Sequence, residues 1–133
     1  MQTKNRKRVD MLELSNGLDD FLKYLRECQQ LNRVSIAEEQ EINGNIQDIL
    51  HILEFEDKDY HSMAKLAKQL KELRKQRRIA KDNINVTNPI IEWLDSKDNQ
   101  MVIKSLERLL GDLRKIEKNT KNRIYTYRGN DFK

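Results

Sequence analysis

The chain has 133 residues, 36% of them charged and 37% hydrophobic, with four glycines and a single proline. Such sparse punctuation excludes an all-β or doubly wound α/β fold and leaves long helices with narrow apolar stripes. The net charge of +4 permits a polyanionic partner without requiring one, and helices with so little apolar surface often complete their burial in a homo-oligomer.

Residues 1–10 form a basic N-terminal arm carrying Lys4, Arg6, Lys7 and Arg8. No apolar run follows it, so neither a secretory signal nor a membrane span is expected, and the expected setting is cytoplasmic. Leu14, Leu18, Phe21, Leu25 and Cys28 then fall at steps of 4, 3, 4 and 3. That spacing predicts a helix over about 17–33, capped by Ser15 or Asn16. Cys28, the only cysteine, excludes an internal disulfide and reads as a small buried hydrophobe on this stripe.

Ser35-Ile36-Ala37-Glu38 has the form of a capping box, which predicts a second helix over 36–54 with Ile42, Ile46, Ile49 and Leu53 on its inner stripe. A turn is expected at 54–59, with Asp57 or Asp59 capping a third helix over 59–86. The inner stripe of that helix is Met63, Leu66, Leu70, Leu73, Arg77, Ala80 and Ile84. Asn88-Pro89 is expected to end it and to start a short helix over 89–94, since proline suits a first helical position. After a polar turn, Val102, Leu106, Leu109, Leu113 and Ile116 predict a helix over 99–118. Arg123-Ile124-Tyr125-Thr126-Tyr127-Arg128 alternates β-branched and aromatic residues, which predicts a strand-like or extended arm over 119–133. The expected fold is therefore mainly α, an antiparallel helical hairpin or bundle over 11–118 with coiled-coil-like seams and a short C-terminal extended or β arm.

Charge is unevenly divided along this hairpin. Residues 38–59 hold eight acids and one base, a net −7, whereas residues 65–81 hold eight bases and one acid, a net +7. Two readings stay open: the basic run pairs with the acidic helix before it, or it binds a partner. Arg77 stands out because it takes an inner position, where a guanidinium needs an anion or a way out to water.

Catalytic chemistry has little to build on. No nucleophile elbow, Walker loop, dinucleotide fingerprint or zinc-spaced Cys/His set is present. His51 beside Glu54 lacks the further ligands a metal site needs. Neither an enzyme nor a metal or cofactor is expected. The basic run has no interleaved aromatics, but a nucleic acid or a host protein bound through the basic helix remains a candidate partner.

Asp48-Ile49-Leu50-His51-Ile52-Leu53-Glu54-Phe55, then Lys65-Leu66-Ala67-Lys68 and Leu73-Arg74-Lys75-Gln76-Arg77-Arg78, followed by Asn122-Arg123-Ile124-Tyr125-Thr126-Tyr127-Arg128, form a series. It resembles a pattern in small proteins of phages infecting low-GC Gram-positive bacteria, and is most similar to the Thoeris anti-defence family. The resemblance covers about residues 45–128. It implies a non-enzymatic homo-oligomer that sequesters a small nucleotide-derived immune signal of the cyclic ADP-ribose type without cleaving it. Arg123, Tyr125 and Arg128 would then face the ligand, with Arg77 as a further candidate. Tyr127 stands where the family pattern has proline, and the first 35 residues have no clear counterpart.

Overall fold

The computed structural model describes residues 14–131, and the side chains of residues 14–122. The expected basic arm over 1–10 lies outside the described residues. Three helices account for nearly all of the remainder: α1 (Leu14–Phe55), α2 (Tyr60–Asp95) and α3 (Lys97–Asp131). The mainly α architecture holds, and there is no strand among the described residues. By packing, the chain divides into two compact units. Among the described residues, unit 1 joins 14–26 to 94–131, and unit 2 is Glu27–Trp93.

The helices are longer and fewer than the local signals predict. The expected helices over 17–33 and 36–54 are one, because α1 passes straight through the Ser35 capping box. A cap forms only where the helix must start, and here the inner row runs on without a break: Cys28, Asn32, Ser35, Glu39, Ile42, Ile46, Ile49 and Leu53, at steps of 4, 3, 4, 3, 4, 3 and 4. Packing along that row overrides the local motif. Likewise the helices expected over 59–86 and 89–94 are both α2, which contains Pro89 in its interior. Proline there removes one helical hydrogen bond and costs about 3 kcal/mol in an isolated helix. The inner row nevertheless continues past it through Thr87, Ile91 and Leu94, and Leu94 is buried.

The turn expected at 54–59 is present at residues 56–59, and of its two candidate caps Asp59 serves. Its carboxylate accepts a hydrogen bond from the Ser62 amide at 2.7 Å. The Ser62 hydroxyl, and after it that amide, holds the Asp59 carboxyl below its ordinary value of 3.8. Between α2 and α3 only Ser96 is non-helical, and its carbonyl accepts the first bond of α3 from Gln100 at 2.9 Å.

The strand-like arm expected over 119–133 is also overturned, since α3 begins at Lys97 rather than 99 and continues as helix to Asp131. A lone strand has no ladder to join. The inner row of α3 is Ile103, Leu106, Leu110, Leu113, Glu117 and Thr120, and the same steps of 4 and 3 carried along the sequence fall on Ile124 and Tyr127. The helical period therefore continues where the alternation suggested a strand.

Within unit 2, the later part of α1 packs antiparallel on α2. The row Ile42, Ile46 and Ile49 is buried as expected, and Met63, Leu66, Leu70, Leu73, Arg77, Ala80 and Ile84 all face it. Within unit 1, the first part of α1 packs antiparallel on α3, and here the expected stripes are rotated. Leu22 is buried, whereas Phe21 is 47% exposed; Ile103 and Leu110 face inward, whereas Val102, Leu109 and Ile116 are exposed. Each of these helices carries two apolar rows one residue apart, and periodicity alone does not choose between them.

Candidate functional site

Helix periodicity decides where the charges of unit 2 end up. Counting the inner row as heptad positions a and d, the bases Lys71, Arg74, Arg78 and Lys81 occupy e and b of α2, one residue on from the inner row. The acids Glu38, Glu41 and Asp48 occupy g and c of α1. In an antiparallel pair e faces e and g faces g, so the acids and bases lie on opposite edges of the hairpin. None of these residues forms an ion pair among the described residues, whose ion pairs are Lys23 with Asp19, Lys58 with Glu56, and Arg114 with Asp19. The basic run and the acidic helix do pack antiparallel, as one of the two readings of the sequence expects, but no ion pair joins them among the described residues.

The basic edge borders an open groove of about 890 Å³ on α2, lined by Lys71, Arg74, Arg77, Arg78 and Lys81 among others. Arg77 takes the inner position that the sequence assigns it. It is half-buried, and its Nη1 donates to Asn43 Oδ1 across the hairpin at 3.4 Å. The guanidinium thus leans out of the inner row toward the basic edge, and its acceptor is a neutral amide at a long distance.

Nearer Trp93, the inner face of unit 2 turns polar. Asn32 and Thr87 are both buried. The Asn32 Nδ2 donates to Thr87 Oγ1 at 2.9 Å and to Asn88 Oδ1 at 3.0 Å. Thr87 passes its own hydrogen to the Asn83 carbonyl one turn back, at 2.7 Å. A buried amide of this kind admits few alternative alignments of two helices, so it fixes their register. On the same inner face, Ser35 is 0% exposed and Ala80 is 1% exposed, and the Ser35 hydroxyl has no partner among the described residues. Sequence reasoning overlooked this polar layer because it read Ser35 as a cap, although Asn32, Ser35 and Thr87 stand on the 3–4 rows themselves.

Of the candidate ligand-facing residues, Arg77 belongs to unit 2, whereas Arg123, Tyr125 and Arg128 belong to the unit 1 stretch of α3. The backbone at 123, 125 and 128 is helical, and their side chains fall outside the described ones. At about 100° per residue, positions 123 and 125 are set roughly 200° apart around a helix axis. A strand would have put them on one face, and the helix separates them.

No group of three or more His, Cys, Asp or Glu residues suited to a metal ion occurs among the described residues. His51 instead stacks on Phe55 one turn on, with ring centroids 5.8 Å apart. Among the described residues no helix is long and apolar enough to cross a membrane. No protein-family model matches the chain, and neither a curated protein nor a solved structure matches it at a significant level.

Proposed function

We propose that the chain is a non-catalytic binding protein that holds nucleic acid by its phosphate backbone along the basic edge of α2. The observation that carries this reading is the row Lys71, Arg74, Arg78 and Lys81 on one helix face, which forms no ion pair among the described residues. From the first to the last of these four the helix rises about 15 Å. Each cation can neutralise one phosphate, so the row meets at most about four. With no aromatic side chain among these four, it has nothing to stack on bases, so the binding is insensitive to sequence.

The test is retention of duplex DNA as salt is varied. Binding should weaken steeply with salt, with a log–log slope of about −3 to −4 for four phosphate contacts. Lys71→Gln/Arg74→Gln/Arg78→Gln/Lys81→Gln should lose binding on every sequence alike. A chain that fails to bind at low salt, or a variant that binds as before, refutes the reading.

A second reading rests on Arg77, whose guanidinium lines the same groove with only a long bond to a neutral amide. It is the function that the Thoeris anti-defence resemblance implies, sequestration of a phage-defence signal of the cyclic ADP-ribose type. Small ligands are held in sites that bury most of their surface, and the open groove on α2 favours an extended polyanion over a compact one. Thermal-shift titration separates the two readings. A rise in melting temperature with a cyclic ADP-ribose isomer that disappears in Arg77→Leu supports sequestration. No shift with any such isomer, alongside salt-sensitive DNA retention, removes it.

A further inference from the structure

We propose that a second copy of this chain docks on unit 2, the basic edge of one copy lying in an acidic groove on the next. The edge of the hairpin opposite the basic row carries two adjoining grooves of about 370 and 420 Å³, which share Asn45 and Leu73. Glu38, Glu41, Asp48 and Glu72 line them, with Ile42 and Ile49 at the base, and no lysine or arginine does. None of the four carboxylates forms an ion pair among the described residues. A groove with four unpaired acids on one edge thus matches a row of four unpaired bases on the other.

The lengths agree as well as the signs. Glu38 to Asp48 is ten residue steps along α1, and Lys71 to Lys81 is ten along α2. Each row is therefore about 15 Å long, so the bases of one copy reach the acids of another without either helix bending. Joining two like edges would set like charges against each other, so a two-fold contact through either edge is disfavoured. The contact that remains is head-to-tail. Each copy gives one edge and receives the other, and assembly continues into a ring or a filament instead of stopping at two. Exposed ion pairs are individually weak and screened by salt, so the assembly forms at low ionic strength and disperses at high. The proposal does not depend on nucleic-acid binding. If both hold, polyanion and second copy compete for the same four bases.

The experiment measures the mass of the full chain by light scattering across a sodium chloride series, for wild type and two variants. One variant, Glu38→Gln/Glu41→Gln/Asp48→Asn/Glu72→Gln, keeps only the basic edge. The other, Lys71→Gln/Arg74→Gln/Arg78→Gln/Lys81→Gln, keeps only the acidic one. Helical circular dichroism confirms folding, and Glu41→Lys with Arg78→Glu provides a second pair with one change each. Wild type should exceed the monomer mass at low salt and return to it at high salt. Each variant alone should stay monomeric, and the equimolar mixture should double in mass and grow no further. A monomeric wild type at low salt, a variant that still assembles alone, or a mixture that remains monomeric overturns the proposal. DNA retention by the variant that keeps the basic edge reports on the nucleic-acid reading separately, whatever the mixture does.

Discussion

The two units are built from the same element, an antiparallel pair of helices meeting along a 3–4 row, yet they dispose of charge in opposite ways. In unit 1, unlike charges meet across the pair. Arg114 reaches Asp19 at 2.9 Å, and the Glu117 carboxylate accepts from both the Ser15 hydroxyl at 2.8 Å and the Ser15 amide at 3.0 Å. That amide is one of the unpaired donors at the start of α1, so a side chain of α3 caps α1. In unit 2 the bases Lys71, Arg74, Arg78 and Lys81 line one edge and the acids Glu38, Glu41, Asp48 and Glu72 the other, and among the described residues the charged group donating across the pair is Arg77, to a neutral amide. The difference comes from which flanking heptad positions carry acids and bases, and it has a functional consequence. Charges satisfied inside a pair are structural, whereas charges segregated by edge are left for something outside it.

Breaking unit 1 gives the largest expected effects. Leu22 is the largest fully buried apolar side chain among the described residues, and Leu22→Ala should cost about 3 kcal/mol in a denaturant titration. Glu117→Ala should cost about 2 kcal/mol, because it strips the partner from an amide and a hydroxyl that carry charge-assisted bonds. An equal loss from the quadruple glutamine replacement on the basic edge of unit 2 would contradict the contrast, since those four side chains form no ion pair among the described residues.

How far these features could be read from the sequence depended on the residue. The inner rows Ile42, Ile46, Ile49 and Met63 through Ile84 were legible because each helix there has a single apolar stripe. Leu14 and Phe21 misled, as did Val102, Leu109 and Ile116, because each belongs to a second apolar stripe beside the one that packs. Ser35 and Pro89 misled for another reason: both are strong local helix-boundary signals that continuous tertiary rows overrule. The Arg/Tyr segment from 123 to 128 alternates like a strand, and only its continuation of the α3 period reveals the helix. The position of Arg77 was evident. The separation of acidic and basic edges was available from the spacing of Lys71, Arg74, Arg78 and Lys81, but only once the hairpin's inner faces were assigned.

The polar layer of unit 2 can be relieved rather than broken. Ser35→Ala should raise stability by about 1 kcal/mol, since it removes a buried hydroxyl without a partner among the described residues and improves helix propensity. Nothing lies near enough to oppose the reverse kind of change at Gly44, where an added methyl meets nothing within 4 Å. Gly44→Ala should therefore add a similar amount, about 1 kcal/mol. Melting curves of the two single variants and the double variant test this, and the gains should add because the sites share no partner. A Ser35→Ala variant that is destabilised would mean that the hydroxyl is bonded in the folded chain and that the inner face of unit 2 is fully satisfied.

Acid titration reads the smallest effect and bears on unit 1 alone. The hydrogen bond from Lys23 holds the Asp19 carboxyl below its ordinary value of 3.8; desolvation opposes it, and the bond from Arg114 adds a lesser lowering. A carboxyl lowered on folding contributes stability that is fully present above its unfolded value and is lost as pH falls through its folded one. The contribution should therefore be intact at neutral pH and fade only below about pH 4. Asp19→Asn removes that titration while leaving an amide able to accept from Arg114. The difference in melting temperature between wild type and Asp19→Asn should thus narrow as pH falls below about 4. A gap that stays constant to lower pH would show that Lys23 and Arg114 do not favour the charged carboxylate, and the contrast between the two units would then rest on Ser15 and Glu117 alone.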